Sequence, residues 1–228
     1  MNDAVKGLNR RCGENDQDAC ARAASLLLVF TEISSKENAA EKSATAKKGV
    51  EILRTACELG ESPLGCYVLA TLTLEGQYVT KDASRAAGYF ARSCAETLAA
   101  GCYAAGEMQE DAEVPHPDVA EAFRFMTRGC ELGSAFACTH QGFALAAGRG
   151  TAVDRARAGA LFTRACDGGD HDGCAGLGAL LVQGDGVAQD VPRGRELVRV
   201  ACAHGSIWAC ARVAALGGEA ALAPAEAP

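Results

Sequence analysis

Apolar positions along the chain recur at helical spacing, and the pattern itself repeats. Counting from Asp154, a small residue follows at four (Ala158) and large ones at seven and eight (Leu161, Phe162). A small residue comes again at eleven (Ala165) and a cysteine at twelve (Cys166). The spacing 4, 7, 8, 11 marks one face of an α-helix. The same phases recur from Thr45, Asp82, Asp118 and Asp190, with Leu53, Phe90, Met126 and Val198 as the second large residue. Each of these Asp or Thr residues carries a side-chain oxygen suited to free backbone N–H groups, so each is expected to cap a helix A. A short turn follows each first cysteine, and a second helix, B, begins just before a second cysteine. Four residues after that second cysteine the chain always has Ala or Gly: Ala24, Ala70, Gly106, Gly142, Gly178 and Ala214. Glycine costs a helix interior up to ~1 kcal/mol relative to Ala, so three glycines at one phase predict close helix crossings.

The unit therefore reads as a helical hairpin with a period of 36 residues between Cys94, Cys130, Cys166 and Cys202. A fixed period of this length predicts stacked repeats. The expected fold is all-α, a right-handed α-solenoid of about six antiparallel helix hairpins over residues 1–217. Residues 1–33 form an atypical first repeat, 34–44 a linker or helix extension, and 218–228 a tail expected to be disordered. Gly60, Gly133, Gly169 and Gly205 sit three after a first cysteine, where a helix end favours a left-handed residue. Thr97 holds that phase in the third turn, so that turn is expected to differ. Gly148-Arg149-Gly150 and Gly184-Asp185-Gly186 read as connectors between hairpins.

The twelve cysteines form six close pairs: Cys12/Cys20, Cys57/Cys66, Cys94/Cys102, Cys130/Cys138, Cys166/Cys174 and Cys202/Cys210. An antiparallel hairpin brings the end of A beside the start of B, within disulfide reach. Pairing to the next repeat would have to span a whole helix. Six sequential bridges are expected, against the alternatives of metal ligation or thiol redox chemistry. Each closes a loop of about nine residues, which the chain-entropy relation values at roughly 2.5 kcal/mol. Only 5% of the residues are aromatic, so cross-links matter to a thin core.

The net charge of −7 and pI near 5.2 argue against nucleic acid, which calls for a basic face. No run of eighteen apolar residues exists to span a membrane. The run Ser25–Phe30 is too short and lies too far into the chain to be a signal-peptide core. Paired cysteines nonetheless imply an oxidising compartment, so a periplasmic or secreted location with the export signal removed is expected over the cytoplasm.

The segments Ala165-Cys166-Asp167-Gly168-Gly169, Gly173-Cys174-Ala175-Gly176-Leu177-Gly178 and Gly184-Asp185-Gly186-Val187, followed by Asp190, resemble the Sel1-like repeat family, a relative of tetratricopeptide repeats. The cysteine pair in every unit resembles the branch of Helicobacter cysteine-rich, β-lactamase-like proteins. The resemblance covers residues 40–216 well and 1–39 loosely. It implies a solenoid of bridged hairpins whose concave side, lined by helix A, binds other proteins. Non-catalytic binding of a protein or peptide is the expected function. Candidate contacts are Arg85, Arg92, Glu121, Arg124, Arg128, Arg157 and Arg164, with the loop Glu110–Pro117 as a second surface. The alternatives are a binder of β-lactams or peptidoglycan fragments with weak hydrolysis, and an immunity partner of a secreted toxin.

Catalytic signals are sparse. Serine β-lactamase chemistry needs Ser-x-x-Lys, which is absent, and Thr45 before Lys48 already reads as a cap. His116, His140, His171 and His204 read as surface residues, with a shared metal or acid–base role for His171 and His204 as the lesser reading. No cofactor and no metal are expected. Arg92, Arg128 and Arg164 share a phase two before a first cysteine. They either pair with acidic side chains of neighbouring repeats or form a row that holds a carboxylate. Tyr89, Phe125 and Trp208 read as packing residues.

Overall fold

A computed structural model describes residues 11–14, 16–33, 39–59, 62–95, 97–111, 114 and 117–215. Side chains at 30–33, 39–42 and 214–215 are outside that description. So are the tail at 218–228, most of the first helix expected before Cys12, and residues 34–38 of the expected linker.

The described elements are all helices. They are α1 (Gln17–Ile33), α2 (Ala39–Glu58), α3 (Pro63–Glu75), α4 (Ala83–Ala95), α5 (Ala99–Met108), α6 (Val119–Glu131), α7 (Ala135–Ala147), α8 (Arg155–Asp167), α9 (His171–Gln183), α10 (Val191–Ala203) and α11 (Ile207–Ala215). Even-numbered helices are the A helices of the sequence pattern and odd-numbered ones the B helices. The chain divides into two compact units, Met1–Pro117 and Asp118–Pro228. Within each unit, A and B helices pack as antiparallel hairpins stacked on one another, the arrangement of an α-solenoid.

The expected phases carry the core. Leu53, Phe90, Met126, Phe162 and Val198, all at position eight of helix A, are buried, and so are Ala86, Ala122 and Ala158 at position four. In the first unit α1, α2 and α3 enclose Ala24, Leu28, Val50, Leu53, Leu69 and Leu72. In the second, Phe162 lies against Leu145, Leu177 and Leu180 and meets Phe143 edge-on at 4.9 Å. Helix B glycines make room for this ring. A methyl group on Gly142 or Gly176 would come within 2.7 Å of Phe162. Where α9 crosses α10 the backbones themselves nearly touch. A methyl on Gly178 would lie 2.6 Å from the Gly194 carbonyl oxygen, and one on Gly194 would lie 2.6 Å from that of Gly178. The small residues at phase four of both helices are thus the condition for the crossing.

All twelve cysteines are bridged, each pair within its own hairpin: Cys12–Cys20, Cys57–Cys66, Cys94–Cys102, Cys130–Cys138, Cys166–Cys174 and Cys202–Cys210. Their Cα atoms lie between 4.3 and 4.6 Å apart, at the short end of the range a disulfide allows.

Four caps form as the sequence suggests. Asp82, Asp118, Asp154 and Asp190 accept from backbone N–H groups two or three residues on. Thr45 does not cap. It lies inside α2, which begins at Ala39, so residues 39–44 of the expected linker or helix extension are helix. A threonine caps only where the backbone breaks, and the run before it, Ala39-Ala40-Glu41-Lys42, consists of strong helix formers.

The third turn also departs from expectation, because it does not differ. Thr97 takes φ of +76°, alongside +97° at Gly133, +87° at Gly169 and +93° at Gly205. Its N–H bonds the Cys94 carbonyl at 3.0 Å and the Leu98 N–H bonds that of Ser93 at 3.1 Å, the same pair of bonds made after Cys130. The hairpin imposes the turn and the β-branched residue bears the strain. Thr97→Gly is expected to stabilise the protein by about 1 kcal/mol, read as a rise in thermal midpoint of a few degrees.

Candidate protein-binding surface and an arginine pocket

Candidates that share a position on helix A differ in exposure. Arg85 on α4, Arg124 and Arg128 on α6, and Arg157 and Arg164 on α8 are exposed, whereas Arg92 on α4 and Glu121 on α6 are half-buried. Arg124, Arg128 and Arg157 engage only local acids: Glu121 at 4.0 Å, Glu131 at 3.7 Å and Asp154 at 3.9 Å. Surface pairs of this kind contribute little, so these charges remain available to a partner at small cost.

The three arginines two before a first cysteine do not pair with acids of neighbouring repeats as one branch of the sequence reading expects. Arg92 donates to the Glu58 carbonyl at 3.2 Å and Arg164 to the Cys130 carbonyl at 2.6 Å. Each reaches a carbonyl in the last turn of the preceding helix A, where the helix dipole favours a cation, and the Cys130 carbonyl accepts from the Gly133 N–H as well. Arg128 pairs with Glu131 on its own helix.

Other repeat-to-repeat contacts are polar and specific. Ser62 bonds Asp18 at 2.5 Å, Thr139 bonds the buried Asp170 at 2.5 Å, and Ser206 bonds Asp172. Ser93 donates to the Pro63 carbonyl at 2.8 Å. Tyr89 and Phe125 are half-buried. Trp208 packs on Phe143 and carries Arg212 over its ring at 5.1 Å. The His171 and His204 rings stack at 4.6 Å, and His204 Nδ1 lies 2.9 Å from the Val200 carbonyl. Among the described residues no group of three or more His, Cys, Asp or Glu side chains is placed to hold a metal. His116 lies outside the described residues, with 112, 113 and 115 of the loop 110–117.

The first unit also holds a pocket of about 290 Å³ between α2, α3, the loop after α3, and α4. Arg54, Arg85 and Tyr89 supply its polar wall, Thr73 and Thr80 its hydroxyls, and Leu69, Tyr78 and Val79 its apolar side. Arg85 donates to the Tyr89 hydroxyl at 3.2 Å, and that hydroxyl donates to Glu58 at 2.9 Å. The Tyr89 hydroxyl, with Asp82 and Glu58 behind it, holds the Arg85 guanidinium above its usual range. Arg54, Tyr78 and Thr80 are absent from the sequence-based candidates. Their signal is positional: Tyr78 stands where two later connectors have Gly150 and Gly186.

The Sel1 repeat model matches residues 63–97, 99–134, 136–170 and 171–206, more than half of the chain. The chain belongs to the Sel1 repeat family. The family's repeat begins on a B helix and ends on the following A helix, half a period out of phase with the bridged hairpin; in a periodic array both frames describe the same stack. Among solved structures, a Sel1 repeat protein from Oxalobacter formigenes matches with a TM-score of 0.70 at 16% identity, covering 96% of this chain and 92% of that one. The protective antigen c5321 of uropathogenic Escherichia coli, which has the same repeat fold, matches at 0.66 and 18% identity, covering 98% of this chain; this chain spans 53% of that antigen. Helicobacter pylori cysteine-rich protein B is 26% identical over 60% of this chain and 98% of its own, with a TM-score of 0.46. No curated protein matches in sequence. The chain is thus a disulfide-bridged Sel1 repeat scaffold, and among its described residues no helix is long and apolar enough to cross a membrane.

Proposed function

We propose that this Sel1 repeat scaffold is a non-catalytic binding protein for another protein or peptide, working in the periplasm or outside the cell. The observation that supports this most directly is the fate of the charged side chains. Buried Asp170 is consumed by a structural hydrogen bond, while Arg124, Arg128 and Arg157 stand on exposed A-helix faces with only weak surface partners, and exposed Arg85 donates to the Tyr89 hydroxyl. A rigid scaffold loses little freedom when its partner docks, so such charges add specificity efficiently. Arg92 in the first unit and Arg164 in the second keep donors beyond those spent on carbonyls, and half-buried Glu121 stands on the same helix as Arg124 and Arg128. Six bridges and no free thiol favour an oxidising compartment.

Affinity capture from the native host under non-reducing conditions tests the reading, with the wild-type chain and the charge-reversed variant Arg124→Glu/Arg157→Glu run side by side. A protein retained by the wild type and lost from the variant, identified by mass spectrometry, is the expected result. An identical set of proteins on both, or none above bare resin, would overturn it.

A further inference from the structure

We propose that the pocket formed by Arg54, Arg85 and Tyr89 is a binding site for a peptide carboxylate, with the adjoining side chain seated against Leu69, Tyr78 and Val79. The proposal rests on the scaffold reading and names the chemistry one part of it recognises.

Three independent departures from the repeat converge on this one pocket. At position nine of helix A stands Arg54, where the repeats of the second unit that have the corresponding connector place Thr127 and Thr163. At position seven of the following A helix stands Tyr89, where those repeats have Leu161 and Leu197. In the connector stands Tyr78, where they have Gly150 and Gly186. Position three is arginine in all three cases: Arg85, Arg157 and Arg193. A cleft before α10 shares three of the pocket's positions, Leu181, Ala188 and Arg193, and is completed by Gln189, Asp190, Val191 and Pro192, with one arginine and no tyrosine. The repeat therefore supplies a cleft with one cation, and this copy adds a second cation and two phenol rings.

The chemistry selects the ligand. The pocket's lining contains two guanidinium groups and no carboxylate, in a chain of net charge −7. Arg54 is held by Glu51 alone, 2.9 Å away on an exposed helix face, a partner it can share at little cost. Arg85 spends one donor on Tyr89 and has others to offer. Guanidinium groups match carboxylate geometry with paired hydrogen bonds. A pocket near 290 Å³ suits about one amino-acid residue, apolar on one side and charged at one end. Tyr78 is held at φ +60°, a conformation costly for a tyrosine, in a phase where glycine serves elsewhere. Its retention in the pocket wall is strain spent at a site that uses the ring.

The test is amide NMR of the full-length oxidised protein titrated with three probes: N-acetyl-leucine, N-acetyl-glutamic acid α-amide and N-acetyl-leucine amide. The carboxylate probes are expected to shift resonances of residues 78–80 and 85–89, and the neutral amide is not. Arg54→Gln and Arg85→Gln are each expected to weaken binding at least tenfold with an unchanged melting midpoint. Tyr78→Gly is expected to raise the midpoint while weakening binding, opposite signs that a purely structural tyrosine would not give. Tighter binding of N-acetyl-leucine assigns the pocket to a chain terminus, and tighter binding of the glutamate probe assigns it to an internal acidic residue. An equal response to the neutral amide, no response to either carboxylate, or unchanged affinity in both arginine variants overturns the proposal. None of these outcomes touches the capture experiment on Arg124 and Arg157, so the pocket and the scaffold reading fail separately.

Discussion

Reduction of the six bridges is expected to unfold most of the chain at ordinary laboratory temperature, read as loss of the helical circular dichroism signal on adding a thiol reductant. Each bridge closes a loop of about nine residues, and the entropy relation values such a loop at roughly 2.5 kcal/mol, or about 15 kcal/mol for six as an upper bound. A whole domain is usually stable by only ~5–15 kcal/mol. The core has little to set against that loss. Alanine and cysteine fill much of it: Ala21, Ala24, Ala46, Ala56, Cys57 and Cys66 in the first unit are all buried, so few large side chains contribute burial energy. Replacing one pair, Cys130→Ala with Cys138→Ala, should cost about 2–4 kcal/mol and leave the other five bridges intact. A reduced protein that keeps its full helical signal and thermal midpoint would show that packing alone holds the stack.

Gly150→Ala is expected to destabilise the protein by about 3 kcal/mol or more, the largest effect of any single methyl addition considered, measured by denaturant unfolding. Two costs add. Gly150 has φ of +66°, which alanine tolerates poorly. The added methyl would also meet the Val119 carbonyl oxygen at 2.1 Å. That oxygen belongs to the first turn of α6, so relief requires moving a helix and not a side chain. Gly186 repeats the situation against Arg155 one repeat later, with φ of +76° and a contact at 2.4 Å. Gly133→Ala is the control. Its φ is +97° but nothing lies within 4 Å of the added methyl, so it should show the backbone cost alone, about 1 kcal/mol. Equal destabilisation by both substitutions would show that the connector does not pack as described.

The helices, their buried phases and the cysteine pairing were legible because each is set by spacing within one hairpin, and the hairpin is repeated. Two residues were not legible for a shared reason. Thr97 is a poor left-handed residue in isolation, yet a bridged turn leaves its position no alternative. Thr45 has the chemistry of a cap, but a cap exists only where the helix stops, and that depends on the preceding residues 39–44. Local preference yielded to context at both. The carbonyl-capping role of Arg92 and Arg164 was hidden differently. Their shared phase was visible, but their acceptors are backbone groups, which leave no trace in a sequence. The arginine pocket draws on α2, α3 and α4 together, and its members stand out only when each is compared with its counterpart in later repeats.

Every cross-link joins a cysteine to the next one along the chain. As the polypeptide emerges, each sulfur therefore meets its rightful mate before any later one has appeared. First-come pairing is correct pairing, and maturation demands little reshuffling by an isomerase. A chain with interleaved bridges would have to wait for its last cysteine before it could be sure of its first.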